Sequence, residues 1–317
     1  MSMKFGAGLA GITLASFIVE MNIRRILCPT DFSETSAHAV EQAVAMAGYY
    51  KAAIFGLHVV QLIESVDGVP LEGVRQQTAA CFEPAAKAGL TVDVEVDLGS
   101  AVHQILDHAA RLPADLLVMG THGSGGFEHL ALGSVTEKVL RKAPCPMLAV
   151  PPRVRSRSYL PFRRLLCATD FSEASSHAVR FAISLADESG ACLTLLHVLE
   201  WPWHEPPQPT IDELPVEQGF ALAMFRRESE ERARRQLEAF VPRTQRGVRV
   251  VVVSGKPYEQ VLAAAAGDAA DLIVLGVGRR SALNVALLGS TANHVVRAAA
   301  CPVLTLRDRE VRMQNGI

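Results

Sequence analysis

Apolar positions along the chain follow two different periods, and the change from one to the other predicts alternating strands and helices. Short apolar runs predict strands, whereas apolar residues three or four positions apart predict helices, as in the segment with Ala37, Val40, Val44 and Ala47 on one face. Ser33 is placed to cap that helix. In the first half, the predicted strands are 23–28, 52–59, 91–97, 116–119 and 147–150, and the predicted helices are 33–49, 74–88, 102–111 and 135–142.

The same succession occurs twice because the chain contains two copies of one unit. The segment Ile26–Ser33 returns as Leu165–Ser172 at an offset of 139 residues, and later landmarks are 156 residues apart. The larger offset indicates an insertion of 17 residues (156 − 139) in the second copy, between Val198 and Gly255. A repeat of this length is a duplicated domain rather than a solenoid unit.

Two copies within 317 residues predict two domains, each long enough to bury its own core. The predicted boundaries are an N-terminal extension at 1–20, a first domain at 21–152, a linker at 153–161, a second domain at 162–309 and a tail at 310–317. The extension is apolar from Phe5 to Val19. We interpret it as an upstream start or a loose tail, and a membrane anchor and a signal peptide stay open as alternatives.

Strands that alternate with helices predict an α/β fold, with right-handed crossovers and a parallel sheet covered on both faces. Such sheets bind ligands beyond the carboxyl ends of their strands, where the strand order reverses. With the order 3-2-1-4-5, the first and fourth strands are neighbours at that point. Asp31 follows the first strand and Gly120 follows the fourth, so both would face one crevice.

A glycine-rich run after the fourth strand has the outline of a phosphate cradle. Gly120 and Gly123 are followed, nine residues later, by Gly133 and Ser134 at the start of a predicted helix. Glycines let the backbone approach a ligand closely. The free N–H groups at a helix start, together with the positive end of its dipole, favour an anion.

These residues match a known family. The chain resembles the universal stress proteins in their tandem form, over about 22–150 and 163–307. The resemblance rests on the Pro-Thr-Asp-Phe-Ser sequence that begins at Pro29, on the G-x2-G-x9-G-S run and on the Cys-Pro pair before the last strand. It implies a doubly wound five-stranded sheet like that of the adenine nucleotide α-hydrolases. It also implies ATP or a related adenine nucleotide in the crevice, with or without Mg²⁺, association through the last strands, and a role in stress survival.

In the first copy, the resemblance implies that Asp31 meets the adenine, that Val59 lines the base or ribose pocket and that Met119 forms its floor. The residues that it implies for ribose and phosphates are Gly120, Gly123, Gly133, Ser134 and Val135. The candidate set is completed by Thr30 and, in the second copy, by Asp170, Val198, Gly276, Gly289 and Ser290.

The second copy departs from the glycine pattern, since Arg279 stands where the second glycine is expected. A side chain at a position that needs a positive φ costs roughly 1 kcal/mol or more. Arg279 would then fill the space of a phosphate. The alternative is that Arg279 and Arg280 hold the phosphate by charge, with Gly278 supplying the turn one residue earlier.

Charge and cysteine content narrow the function classes. The net charge of −2 gives no broad basic face for nucleic acid. The spacing of the six cysteines predicts no metal site, and buried free thiols suit a reducing, cytoplasmic location. We expect no membrane partner. The expected partners are the nucleotide, the two domains packed as an intramolecular pseudo-dimer, a homodimer and unidentified proteins.

Catalysis is not predicted. The segment Ser124–Leu132 contains no Lys or Arg to neutralise charge on a γ-phosphate, and the chain has no Walker lysine motif. The main hypothesis is a nucleotide-binding stress protein whose bound state alters its contacts with partners. Two alternatives stay open: a slow ATPase or self-phosphorylating enzyme, and a tandem scaffold that binds another small ligand. For Asp31 and Ser134, the simpler interpretations are a loop-fixing residue and a helix N-cap.

Overall fold

The computed structural model describes residues 22–61, 71–122, 132–152, 160–200, 216–278 and 289–307. Within these residues, ten strands form one sheet with the order β3-β2-β1-β4-β5-β10-β9-β6-β7-β8. Each domain supplies five parallel strands, and helices lie on both faces. The predicted α/β class and the order 3-2-1-4-5 are therefore confirmed.

The first domain alternates strands and helices from its first strand to its last. Its strands are β1 (Arg25–Pro29), β2 (Ala53–Val60), β3 (Val92–Leu98), β4 (Leu116–Gly120) and β5 (Met147–Val150). Its helices are α1 (Glu34–Tyr50), α2 (Leu71–Cys81), α3 (Glu83–Lys87), α4 (Ala101–Arg111) and α5 (Ser134–Lys142).

The second domain repeats this order with one helix between its second and third strands. Its strands are β6 (Arg164–Thr169), β7 (Cys192–Leu199), β8 (Val248–Ser254), β9 (Leu272–Val277) and β10 (Val303–Arg307). Its helices are α6 (Glu173–Ser189), α7 (Val216–Glu238), α8 (Pro257–Gly267) and α9 (Ser290–Ala298).

The single helix predicted over 74–88 is wrong. The chain forms two helices there, α2 and α3, which are separated at Phe82. Pro84 stands in the first turn of α3. A proline has no N–H to donate and its ring collides with the preceding turn of a continuous helix, so it is tolerated only near a helix start. Phe82 is fully buried against the core at the break.

The first helix of each domain begins where the sequence indicates. Ser33 is the N-cap of α1 and its side chain accepts a hydrogen bond from the backbone N–H of Ser36. Ser172 caps α6 in the same way through Ser175. Such caps satisfy one of the free N–H groups of the first turn. Both helices therefore start at a fixed point beside the carboxyl end of the preceding strand.

Each face of the sheet carries an apolar core that runs through both domains. Ile26 and Cys28 of β1 belong to one core, whereas Leu27 between them belongs to the other. This alternation follows from the two-residue period of a strand. The first core includes residues of α1 and α6, and the second includes residues of α4, α5, α8 and α9.

The two five-stranded halves meet at β5 and β10, which pair antiparallel. Leu148 lies opposite Leu304, its counterpart at the offset of 156 residues, so a pseudo-twofold axis passes between them. Near the same axis, the Asn293 side chain donates to Glu137, again its counterpart, over 3.5 Å. The outer edges of the sheet are β3 and β8, and β3 is the edge strand that its alternating pattern predicts. No helix in the described part of the chain is both long enough and apolar enough to cross a membrane.

Candidate functional site

The strand order reverses between β1 and β4. Strand β1 pairs with β2 on one side and with β4 on the other, where Ile26 and Leu27 lie opposite Leu116 and Leu117. Because all these strands are parallel, their carboxyl ends share one edge of the sheet. The loop after β1 and the glycine at the end of β4 therefore lie at the same edge of the sheet, where the ligand crevice is predicted.

The loop after β1 is fixed by short side-chain hydrogen bonds. Asp31 Oδ1 accepts from the Ser33 backbone N–H at 3.1 Å and from the Ser33 hydroxyl at 2.6 Å. The buried Thr30 hydroxyl accepts from the Phe32 N–H at 3.2 Å and contacts Ser36 Oγ at 3.1 Å. Asp31 thus has the loop-fixing role of the simpler interpretation, while its residue remains exposed at the crevice.

Phe32 adopts a backbone conformation that bulky residues rarely take, with φ of 62°. Its ring stacks on that of His58 with centroids 4.3 Å apart, and His58 Nδ1 lies 2.8 Å from the Thr30 carbonyl oxygen. Such conformations cost of order 1–3 kcal/mol and tend to occur at binding sites, where neighbouring contacts maintain them.

The second domain repeats this arrangement. Phe171 has φ of 61°, and its ring lies 4.4 Å from that of His197. His197 Nδ1 is 2.8 Å from the carbonyl oxygen of Thr169. The exposed Asp170 accepts from the Ser172 N–H at 3.0 Å. The paired Phe and His contact was not predicted; the only signal for it in the sequence is that both copies keep a Phe after the Asp and a Leu-His-Val at the end of the second strand.

Gly120 is buried at the end of β4, where the start of α1 packs against it. A Cβ at this position would lie 2.9 Å from Thr35 Cγ2 and 3.0 Å from the Thr35 carbonyl oxygen. The Thr136 hydroxyl of α5 donates to the Gly120 carbonyl at 2.8 Å. Gly120 therefore holds α1, β4 and α5 together around the crevice.

Gly276 occupies the same position in the second domain. A Cβ there would lie 2.4 Å from both the Ala174 carbonyl oxygen and the Ser175 nitrogen. Gly278, which was expected to supply a turn, does not have a left-handed φ. That part of the interpretation of the second copy is wrong.

The start of α5 is the candidate anion site. Gly133 is the N-cap and offers no side-chain hydrogen bond to the first turn, and its own N–H donates to the Thr121 carbonyl at 2.9 Å. Ser134 is the first helical residue and is exposed, so it is not the N-cap. Gly289 and Ser290 stand in the same positions at the start of α9. Helix starts without a side-chain cap leave N–H groups available to an anion.

The remaining candidate residues lie near this edge or outside the described residues. Met119 is buried beneath Gly120, and Val59 and Val135 are half-buried. Val198 is half-buried in β7, as Val59 is in β2. The candidates that lie outside the described residues are Gly123, Arg279 and Arg280.

The buried cysteines are poor nucleophiles. Burial raises the pKa of the Cys28 and Cys167 thiols well above its ordinary value, with a smaller contribution from Cys81 at Cys28. Burial raises the pKa of Cys301 to about 12, and the nearby Asp271 carboxylate adds to the effect. Since the thiolate is the reactive form, none of these three residues is suited to nucleophilic chemistry at neutral pH.

Comparisons with known proteins identify the family. The model of the universal stress protein family matches residues 22–151 and 161–307. A universal stress protein of Mycolicibacterium smegmatis is 28% identical over 307 residues, which are 90% of this chain and 97% of that protein. One from Methanocaldococcus jannaschii is 32% identical over 139 residues, which are 40% of this chain and 81% of that protein.

Solved structures agree on the fold. The crystal structure of a universal stress protein from Archaeoglobus fulgidus is 24% identical, with a TM-score of 0.61 over 89% of this chain and 98% of that chain. A Pseudomonas aeruginosa protein of unknown function is 18% identical, with a TM-score of 0.62 over 90% and 93%. With both of its domains matched by the family model, this chain belongs to the universal stress protein family in its tandem form.

Proposed function

We propose that the first domain binds an adenine nucleotide, ATP in the first place, and that the bound state alters the contacts of this protein with its partners during stress. The observation that carries the proposal is the crevice between β1 and β4. On one side of it is the strained loop that holds Asp31, and on the other is the start of α5, which has no side-chain cap. A polar, rigid loop and a helix start suit a ligand with a base and phosphates.

The roles follow from position. The Asp31 carboxylate accepts from the exocyclic amine of the adenine, and Val59 and Met119 give the ring an apolar surface. The N–H groups at Ser134 and Val135, the Ser134 hydroxyl and Gly123 hold the phosphates, with Mg²⁺ where the triphosphate carries it. Thr30 and Gly120 support the loop and the strand end from below, through contacts already described.

We infer binding rather than catalysis. Phosphoryl transfer needs positive charge at the transferred group and a residue that orients the nucleophile. In the described residues of the crevice, the candidate side chains are a carboxylate, hydroxyls and apolar groups. A slow ATPase remains the alternative, and the test below includes it.

The second domain is the weaker candidate for nucleotide binding. Its loop and its helix start match those of the first domain, with Asp170, Gly276, Gly289 and Ser290 in the corresponding places. Its sequence has Arg279 in place of the second glycine. We propose that nucleotide binds chiefly to the first domain.

The same interpretation extends to assembly and location. The β5–β10 pairing supports an intramolecular pseudo-dimer, and the exposed edges β3 and β8 leave room for further copies or for protein partners. Four of the six cysteines are buried and all six are thiols rather than disulfides, which suits a cytoplasmic protein. The net charge of −2 gives no reason to expect nucleic acid as a partner.

The test is calorimetric titration of the full chain with ATP, with and without Mg²⁺, on wild type and on Ser134→Pro. Proline fits the first position of a helix but removes the N–H and the hydroxyl together. We expect Ser134→Pro to melt as wild type does and to lose at least about tenfold in affinity, or about 1.4 kcal/mol.

The matched control is Ser290→Pro, which makes the same change at the start of α9 and should affect ATP binding much less. Mass spectrometry of freshly purified, denatured protein adds a second readout. Retained ATP supports binding without turnover, whereas ADP alone favours the ATPase. Absence of nucleotide together with no calorimetric signal would refute the proposal and favour a scaffold for another ligand.

A further inference from the structure

Two carboxylates and a buried histidine meet on the first domain at a place that the nucleotide proposal does not use. Glu95 and Asp97 lie on β3, and His108 lies on α4. The ligand atoms of these three side chains all lie within 4.8 Å of one another. His108 Nε2 is 2.6 Å from Asp97 Oδ2, and His108 Nδ1 is 3.6 Å from Glu95 Oε2.

The secondary structure explains why the three side chains meet. Alternate residues of a strand point to the same face, so Glu95 and Asp97 both face α4, while Val92 and Val94 face the opposite core. On α4, Ile105 and Ala109 are buried in the core beneath β1 and β2, and His108 lies beside them. The histidine side chain is 4% exposed, whereas those of Glu95 and Asp97 are 51% and 31% exposed.

A small cleft opens onto the cluster. It is lined by Glu95 and His108, by the neighbouring Asp93 and by residues of β1 and β2. The cleft therefore gives the imidazole access to solvent on the side of the exposed Glu95 carboxylate. Access of this kind is one of the features required of a real metal site.

The second domain shows that its fold does not need these polar groups. At the offset of 156 residues, the positions of Glu95, Asp97 and His108 hold Val251, Val253 and Ala264. All three of those residues pack against the second core. The second domain thus has an apolar version of the face that β3 and α4 form in the first domain. The first domain instead buries a histidine between two acidic residues, and burial of a titratable group costs free energy unless the group is paired.

We propose that Glu95, Asp97 and His108 bind a divalent transition-metal ion of the Zn²⁺ class. One imidazole nitrogen with two carboxylate oxygens is a donor set that such ions accept, whereas Mg²⁺ and Ca²⁺ prefer oxygen ligands alone. Ligands about 2.1 Å from a tetrahedral ion are roughly 3.4 Å apart. One imidazole nitrogen and one oxygen from each carboxylate lie within 4.8 Å of one another, and an ion at that nitrogen would draw the exposed Glu95 and the half-buried Asp97 side chains to this spacing.

A metal here would tie the edge strand to α4. Asp97 lies opposite Val59 in the register of β3 and β2, so the ion would also stiffen the strand that is proposed to line the nucleotide pocket. The prediction of no metal site rests on cysteine spacing and on Cys/His clusters, which do not include these residues. The relevant signal in the sequence is a pair of acidic residues two positions apart on an edge strand, followed by a histidine in the next helix.

The test is titration of the full chain with Zn²⁺ in the absence of nucleotide, so that its outcome is independent of the proposed nucleotide site. We expect one ion per chain at this site, and at least a tenfold loss of affinity in Glu95→Gln, which keeps the shape of an exposed side chain. His108→Ala and Asp97→Val copy the residues of the second domain and should remove the site. The triple variant Glu95→Val, Asp97→Val, His108→Ala gives the first domain the three residues that the second domain has at these positions. Because the second domain folds with these residues, the triple variant should fold as well.

The control is Cys192→Ser, which removes an exposed thiol outside the proposed site, because thiolates in general are zinc ligands. Titration with Co²⁺ provides the second readout, because a site of imidazole and carboxylates gives d–d bands without a thiolate charge-transfer band. The proposal is overturned if wild type takes up no Zn²⁺, since the cluster is then a hydrogen-bonded histidine only. It is also overturned if the Glu95→Gln and triple variants bind Zn²⁺ as wild type does.

Discussion

The glycines at the ends of β4 and β9 give the sharpest test of how the crevice is built. Gly120 and Gly276 are predicted to be ligand-binding residues, but the structure shows that each also packs against the first turn of the first helix of its domain, α1 or α6. Neither has a left-handed φ. Their requirement for glycine is therefore steric, and alanine at either position should destabilise the protein even when no ligand is present.

The size of the effect should differ between the two positions. The Cβ of Gly120→Ala would meet a threonine methyl group at 2.9 Å and a carbonyl oxygen at 3.0 Å. The Cβ of Gly276→Ala would meet three backbone atoms at 2.4–2.5 Å, and backbone cannot rotate away as a side chain can. Overpacking costs typically about 1–3 kcal/mol. We expect Gly120→Ala at the lower end of this range and Gly276→Ala at or above its upper end.

The assay is thermal unfolding of the full chain without nucleotide. A change of 1 kcal/mol lowers Tm by about 2–4 °C in proteins of 150–250 residues, so the expected losses are roughly 2–4 °C for Gly120→Ala and 6–12 °C or more for Gly276→Ala. The control is Gly48→Ala on α1, where a Cβ meets nothing within 4 Å. Alanine in a helix is favoured over glycine by roughly 0.5–1 kcal/mol, so Tm should rise. A wild-type Tm for Gly276→Ala, or a larger loss for Gly120→Ala, would refute the steric argument.

Three further predictions follow from electrostatics, burial and the shared sheet. Partial burial alone would raise the pKa of Asp268, but hydrogen bonds from Arg249 and a threonine hydroxyl, together with the Arg249 charge, hold that pKa below its usual value. The Arg249–Asp268 pair therefore stabilises the folded state at pH values above the pKa that the Asp268 carboxyl has in the unfolded chain. This stabilisation is lost as the pH falls through the lower pKa of the folded state. Asp268→Asn should therefore lower Tm at pH 7, and its Tm should converge with that of wild type in acid. The exposed Cys192 should react with iodoacetamide in the native protein, whereas the buried Cys301, whose pKa is raised to about 12, should react only after unfolding. Equal rates of alkylation at the two cysteines, measured by peptide mass spectrometry, would contradict this. An isolated first domain, residues 22–152, lacks β10 and therefore exposes the edge of β5. We expect it to form a dimer in which the β5 strands of two copies pair, and light scattering would detect that dimer. A stable monomer would show that β10 is not needed to cover the edge.

Much of the fold was predictable because periodicity reports local structure directly. The two copies and the alternating elements follow from apolar patterns, and the parallel sheet follows from the crossovers between its strands. The reversal of strand order at β1 does not follow from periodicity; it was assumed as the order 3-2-1-4-5, which the structure confirms. The break at Phe82 lies directly before the short helix α3, which the single predicted helix had included. Pro84 was the available signal, since proline favours a helix start over a helix interior.

The candidate site was predictable only as a set of positions. Sequence placed Asp31 and Gly120 at one crevice, and the sheet order agrees. It did not predict that Phe32 takes a positive φ and stacks on His58, because that contact joins residues of different elements. The simpler alternative for Ser134, a helix N-cap, is wrong because the cap is Gly133; helix starts shift by one residue without any change in the apolar pattern.

The comparison of the two domains separates what the fold requires from what one domain has added. Both keep a phenylalanine with a positive φ, a strand-end glycine packed against the first helix of the domain, and a glycine N-cap. These features persist although the side chains at the β3 edge have changed from acids and histidine to valine and alanine. The backbone of the crevice is therefore common to both domains and cannot by itself account for a difference in their ligands. Such a difference has to come from side chains, in the glycine run and on the β3–α4 face, and those are the positions that the nucleotide and zinc titrations address.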